Sequence, residues 1–167
     1  MGHPTCRALI SQNVAMVDIV SFAERSRMMT GIQGKNTKLE LTVRRMLFAS
    51  GYRFRLHRCD LPGTPDIVMS GRKVAIFVNG CFWHMHQGCR FAKMPTTRTE
   101  FWKVKLQANV ERDRRVIEKL RTLGWRVLCV WECATHDGPT AAGLQAAMRE
   151  WIEGDAQLGE MNAPLQS

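Results

Sequence analysis

The chain has 167 residues, about one domain's worth, which can bury a core without cross-links. Lys and Arg outnumber Asp and Glu by 24 to 15, so the net charge of +9 favours a polyanionic partner, nucleic acid ahead of an anionic membrane surface. No apolar run approaches the roughly 18–20 residues that span a bilayer, and the N-terminal segment lacks a secretory pattern, so the chain is expected in the cytoplasm with no membrane partner.

Residues 1–24 carry little pattern and read as a poorly ordered leader. Met16-Val17-Asp18 reads as a natural start, with residues 1–15 as an added segment. Arg25-Ser26-Arg27-Met28-Met29 follows, then a loop over 31–36. Thr37-Lys38-Leu39-Glu40 is a capping box, with Thr37 as N-cap and Glu40 at N3. Leu39, Val43, Met46 and Leu47 repeat at helical spacing, and Gly51 is a stop. Arg53-Phe54-Arg55-Leu56-His57 alternates as a half-buried strand should. Leu61-Pro62-Gly63-Thr64-Pro65-Asp66 is a tight turn. Ile67-Val68-Met69 is a short strand, Ser70-Gly71-Arg72-Lys73 a hairpin turn, and 74–78 a second apolar strand. Residues 90–98 are a basic loop.

A long helix is predicted over 99–123, with Leu106, Val110, Ile117 and Leu120 inward. Lys103, Lys105, Arg112, Arg114, Arg115 and Arg121 face outward, and Gly124 ends it. Residues 125–132 form a strand, with Cys129, Trp131 and Cys133 on one side by period two. Residues 140–152 form a last amphipathic helix with Leu144, Met148, Trp151 and Ile152 inward. Residues 154–167 read as a flexible tail. The order predicts an α/β fold, a mixed central sheet flanked by helices, with the domain over 25–153.

Chemistry concentrates between Asn79 and Cys89. In a reducing cytoplasm the six cysteines are metal or core residues rather than disulfides. Cys81 and Cys89 flank His84 and His86 at the separations of zinc ligands, and zinc takes four N or S donors. Either histidine can ligate on spacing alone. The fourth ligand comes from elsewhere, Cys133 ahead of Cys129, which sits mid-strand. Asp66, at the start of a strand, can hold Mg²⁺ against a phosphodiester or simply serve the turn. Glu40 is accounted for by the capping box and can also face that metal. His84 has the titration range of a base at neutral pH. Phe82, Trp83 and Trp102 are candidate wedges between base steps. Lys93, Arg98, Lys103 and Arg112 belong to a basic track suited to phosphates.

Gly34-Lys35-Asn36-Thr37, residues 61–66, Gly80-Cys81-Phe82-Trp83-His84, Thr97-Arg98-Thr99-Glu100-Phe101-Trp102, Asn109-Val110-Glu111-Arg112-Asp113 and Gly124-Trp125-Arg126-Val127 together resemble the very-short-patch-repair (Vsr) mismatch endonucleases. The resemblance covers about residues 25–153. It implies a restriction-endonuclease-like core and a Mg²⁺-dependent nick on the 5′ side of the T in a T:G mismatch left by deamination of 5-methylcytosine. Carried over by position, Asp66 matches the metal-binding aspartate and His84 the general base. Glu40 matches a glutamate supporting the metal's waters. Phe82, Trp83 and Trp102 match the intercalating aromatics. Cys81, His86, Cys89 and Cys133 match the structural Zn²⁺ ligands, which selects His86 by resemblance.

The resemblance also implies a bacterial, nucleoid-associated monomer acting on mismatched double-stranded DNA, with a mismatch-recognition protein and a DNA polymerase as partners. Two departures stand out. Gln87-Gly88 lengthens the ligand loop by one residue, and Gly88 can absorb the unusual backbone angle. Asn79 stands where well-known members have a second active-site histidine; it can hydrogen-bond a metal's water but cannot carry a proton at neutral pH. Two alternatives follow: a restriction-type nuclease with another lesion or site, and a weakly catalytic mismatch-binding module.

Overall fold

A computed structural model describes residues 36–136 and 138–163. The expectations for the leader, for Arg25 to Met29 and for the loop up to residue 35 lie outside the described residues. The unit Lys38–Ser167 holds every element below.

Among the described residues the first helix, α1 (Lys38–Ala49), begins directly after Thr37. Its buried residues are Glu40, Val43, Arg44 and Leu47, spaced at helical period. An ion pair therefore runs along the inner edge of an otherwise apolar stripe. Burying charges carries a desolvation cost, so the pair points to a use beyond stability. Gly51 at φ +84° turns the chain out, and Tyr52 donates its N–H to the Leu47 carbonyl at 3.1 Å.

Five strands follow: β1 (Arg55–Leu56), β2 (Ile67–Met69), β3 (Val74–Asn79), β4 (Arg126–Trp131) and β5 (Leu158–Met161). They lie in the order β1-β2-β3-β4-β5. β2 runs antiparallel to both β1 and β3, and β3, β4 and β5 are parallel. Parallel neighbours need crossovers. The long helix α2 (Thr99–Thr122) links β3 to β4, and α3 (Cys133–His136) with α4 (Gly138–Glu153) links β4 to β5.

Alternation along the strands divides the core. Ile67, Met69, Val74, Ile76, Leu128 and Val130 pack with residues of α1 and α4. Val68, Ala75, Val127 and Cys129 pack on the other face with Leu120 of α2 and with Leu61. Each fully buried aliphatic side chain contributes about 1.5–3 kcal/mol, so these two layers hold the fold, not surface ion pairs. β4 lies between parallel neighbours with both faces covered, which explains its unbroken apolar run. The loop before β2 lies against α2 so closely that a Cβ on Gly63 would meet Val116 at 2.4 Å.

Three expectations change. The predicted tail contains β5, held by its parallel pairing to β4. Arg126 secures this return, donating to the carbonyls of Trp151, Ile152 and Ala156 at 2.6, 3.1 and 2.9 Å. Gly159 lets β5 pass Trp151, whose indole nitrogen would lie 2.2 Å from any Cβ there. Next, Cys133 does not continue the alternation of β4; it opens α3, so Cys129 and Cys133 part company. Finally, β1 is only two residues long, because His57 leaves extended geometry at φ +46°.

Candidate active site and metal centre

The loop after β3 is a chain of tight turns. His86 donates its backbone N–H to the Cys81 carbonyl at 3.0 Å, Cys89 to His86 at 3.2 Å, and Ala92 to Cys89 at 3.0 Å. Gly88 sits at φ +70°, as its lone-glycine position in the longer loop suggests. These turns bring Cys81, His86 and Cys89 to Cys133 on α3, with one donor atom of each within 4.8 Å of the others. His86 Nδ1 lies 3.6 Å from the Cys81 sulfur and 3.5 Å from that of Cys133. The imidazole stacks flat on Trp131, 4.2 Å between centroids.

The Cys133 and Ala163 backbone N–H groups point at the Cys81 and Cys133 sulfurs, both at 3.4 Å. Burial pushes the Cys81 and Cys133 thiols up; Cys133 and Cys89 add to the rise at Cys81, while at Cys133 Cys89 adds to it and Cys81 opposes it. Burial also lowers the His86 imidazole, favouring the neutral form that a metal takes. A bound cation reverses the thiol shift, because thiolate is the ligand form. Cys129 is not in this cluster. It packs under α2, where burial pushes its thiol up to about 12.

A second cluster lies at the β2–β3 hairpin. Glu40 from α1, His57 after β1 and Asp66 before β2 bring one donor atom each within 4.8 Å of one another. Asp66 Oδ2 accepts the Val78 N–H at 2.8 Å, which fixes the carboxylate. Arg44 donates to Glu40 Oε2 at 2.5 Å and to His57 Nε2 at 2.9 Å. Burial raises the Asp66 carboxyl to about 6; the Glu40 charge adds to the rise, while the Val78 N–H, Arg44 and His84 oppose it.

His84 is therefore near enough for its charge to act on Asp66. Its Nδ1 forms a short hydrogen bond with Asp113 of α2. Burial alone would raise the Asp113 carboxyl, but His84 and Arg112 outweigh it and hold it below the usual range. An ionised Asp113 only accepts, so His84 keeps a proton on Nδ1 and presents Nε2 as a lone pair. One turn earlier on α2, Asn109 donates to the Trp83 carbonyl at 3.1 Å. Consecutive loop residues are thus gripped by consecutive helical turns.

Phe82, Trp83 and Trp102 form one aromatic cluster, with centroids 5.1 to 6.0 Å apart. All three are half-buried. The Lys105 ammonium lies 5.6 Å from the Trp83 ring and 5.4 Å from that of Trp102. Lys93, Arg98 and Lys103 are exposed, whereas Arg112 also binds Asp113 at 3.1 Å. Asn79 ends β3, buried beside Val78, and its carbonyl accepts the Glu132 N–H at 2.9 Å. The Glu132 carboxylate in turn accepts the Cys81 N–H at 3.1 Å.

Sequence reasoning missed His57, Arg44 and Asp113 as site residues. Asp113 carried a signal, its i,i+4 spacing from Asn109 within one motif. His57 carried none beyond its place at the end of an alternating run.

Comparison with known proteins gives this geometry a class, that of DNA-cleaving enzymes. The profile of the family described as DNA mismatch endonuclease Vsr matches residues 17–90. The type II nicking enzyme V.XorIIP of Xanthomonas oryzae pv. oryzae is 45% identical over 138 residues, 83% of this chain and 98% of the relative. The DNA mismatch endonuclease Vsr of Escherichia coli is 42% identical over 149 residues, 88% of this chain and 95% of the relative. The type II nicking enzyme V.NaeI of Lentzea aerocolonigenes is 46% identical over 115 residues, 66% and 68% of the two chains. The chain belongs to the Vsr family and is a DNA endonuclease. Among the described residues, no helix is long and apolar enough to cross a membrane.

Proposed function

We propose that this endonuclease nicks one strand of mismatched duplex DNA on the 5′ side of the T in a T:G pair, in a Mg²⁺-dependent reaction. The observation that carries this reading is the grip of α2 on the loop after β3. Trp83 and His84 are adjacent, and Asn109 and Asp113 hold them. An aromatic that tests base stacking and a base that activates the attacking water thus form one rigid piece.

The second cluster suits a hard divalent cation, which takes carboxylate oxygens. Asp66 would hold it through Oδ1, since Oδ2 is taken by Val78. Glu40 and Asn79 would orient its water shell. A divalent cation bound there would supply charge that polarises the scissile phosphate and stabilises the leaving oxygen. The rest falls to the protein. His84 Nε2 takes a proton from the attacking water, and Asp113 stabilises the resulting imidazolium. Phe82, Trp83 and Trp102 enter the base stack, at a cost of about a few kcal/mol that is least where pairing is already faulty. Lys93, Arg98, Lys103 and Arg112 follow the phosphates.

The Cys81, His86, Cys89 and Cys133 cluster suits Zn²⁺. Tetrahedral zinc, with Zn–N about 2.05 Å and Zn–S about 2.3 Å, sets N and S about 3.6 Å apart. The 3.6 and 3.5 Å separations from His86 support that assignment. Four protein ligands leave no open position, so its role is structural. The mixed sheet between two helical layers, with carboxylates at one hairpin and one helix, supports a restriction-endonuclease-like core.

The endonuclease domain runs over about residues 25–153, with β5 added by the structure. One nick needs one active site, so a monomer suffices. A DNA polymerase must fill the repair patch, and a mismatch-recognition protein completes the partners at a cytoplasmic, nucleoid location.

A nicking assay on labelled T:G and matched C:G duplexes tests the proposal. Preferential cutting of T:G with Mg²⁺ is expected. Equal cutting of both, or no cutting with Mg²⁺ or Mn²⁺, overturns it.

A further inference from the structure

His57 is tied to the second cluster by its backbone and its side chain. The β1–β2 register pairs Arg55 with Val68 and Leu56 with Ile67, so continuing it sets His57 opposite Asp66. The His57 N–H reaches the Asp66 carbonyl at 3.4 Å. The residue adopts φ +46°, a left-handed conformation uncommon outside glycine and often found where function uses it. The turn leaves the imidazole between two carboxylates, 3.6 Å from Glu40 Oε2 through Nε2 and 3.8 Å from Asp66 Oδ1 through Nδ1.

The 3.8 Å gap is informative. It is too long for a direct hydrogen bond. Two donors bound to one cation at about 2.1 Å lie roughly 3–4 Å apart, which is the separation seen. We propose that His57 Nδ1 is a ligand of the cation held by Asp66, making the site a mixed nitrogen–oxygen one that favours Mn²⁺ over Mg²⁺. This rests on the divalent-cation site of the proposed function and deepens it. Imidazole is a borderline donor, which first-row transition ions accept and Mg²⁺ disfavours.

Arg44 defines the starting tautomer. Its guanidinium has only donors, so Nε2 accepts from it and the ring proton sits on Nδ1. A cation at Nδ1 displaces that proton to Nε2, and the ring remains neutral. Nε2–H then turns to Glu40 Oε2 and gives up the hydrogen bond from Arg44, which keeps its 2.5 Å contact to the same carboxylate. A carboxylate behind a ligating imidazole orients it and raises its basicity.

The test is Mn²⁺ bound to the full-length protein without DNA, with the Cys/His cluster metal retained. Electron spin-echo spectroscopy should show ¹⁴N modulation from a directly bound imidazole. His57→Gln should abolish it and weaken Mn²⁺ by about tenfold or more, while Mg²⁺ changes by less than about threefold. His84→Gln should keep the modulation. Wild-type protein lacking ¹⁴N modulation overturns the inference without any variant. So does a His57→Gln variant that keeps the modulation or loses both cations equally, the pattern of a residue that only positions Asp66. Asp66→Asn separates the two levels. If it retains Mn²⁺, the cation site itself is wrong; if it alone loses Mn²⁺ and His57→Gln changes nothing, the site stands and His57 is not its ligand.

Discussion

Asp66→Asn keeps the shape of the side chain, and with its amide oxygen at the Oδ2 position it still accepts the Val78 N–H, held at 2.8 Å in the native protein. It removes a buried charge. Burial moves the Asp66 carboxyl from 3.8 to about 6 in the folded protein. A rise of about two units corresponds to about 3 kcal/mol of differential interaction. A raised carboxyl binds its proton more tightly folded than unfolded, so stability is lost as pH climbs from the unfolded value through about 6. Below about pH 3 both states are protonated and the cost vanishes; above about pH 7 it is fully present.

The asparagine variant never ionises. In buffer without Mg²⁺ it should be more stable than wild type by about 2–3 kcal/mol at pH 8 and equal to it below about pH 3. With urea slopes of about 1–3 kcal/mol/M, the pH 8 midpoint should rise by about 1–2 M. Added Mg²⁺ should narrow the gap by stabilising wild type alone. Paired urea curves across pH check this. Equal midpoints at pH 8, or a gain independent of pH, would refute the idea that Asp66 is strained by burial and relieved by a cation.

Other perturbations test separate parts of the account. Asp113→Asn should slow nicking by about 10²–10⁴-fold with little change in mismatch binding by gel shift, because it removes the acceptor that orients His84; an unchanged rate would dissociate the pair. Trp102→Ala should weaken binding to mismatched duplex by about 1–3 kcal/mol while leaving the salt dependence alone. A steeper loss on matched DNA would assign Trp102 to the core instead. Gly159→Ala should destabilise the fold by about 1–3 kcal/mol, since the new Cβ meets Trp151 and pushes β5 from β4. Hydrogen exchange localised to residues 158–161 would confirm the cause.

Much of the fold was legible because local signals agreed. Thr37 to Glu40 announced α1, Gly124 closed α2, and two apolar runs, 67–69 and 74–78, stood on either side of a turn. The Cys/His cluster was legible because three of its members lie within one short loop. What was lost depended on tertiary partners. β5 has a weak pattern, Leu158-Gly159-Glu160-Met161, and owes its place to Arg126 and to the absence of a side chain at Gly159. Cys133 was assigned to a strand end because period two carries no mark for a four-residue helix starting there. His57 looked like another residue of an alternating strand; the β1–β2 register sets it opposite Asp66, and its backbone there is left-handed. Glu40 could be read as a cap from sequence, and its burial against Arg44 appears only once α1 packs.

The central claim is a single cut placed by a mismatch. Mapping at nucleotide resolution on a T:G duplex labelled on both strands tests it most directly. The account predicts one Mg²⁺-dependent break, on the T strand immediately 5′ of the mismatched T, and none on the strand carrying G. Breaks on both strands, or a break at a fully paired site, would contradict it.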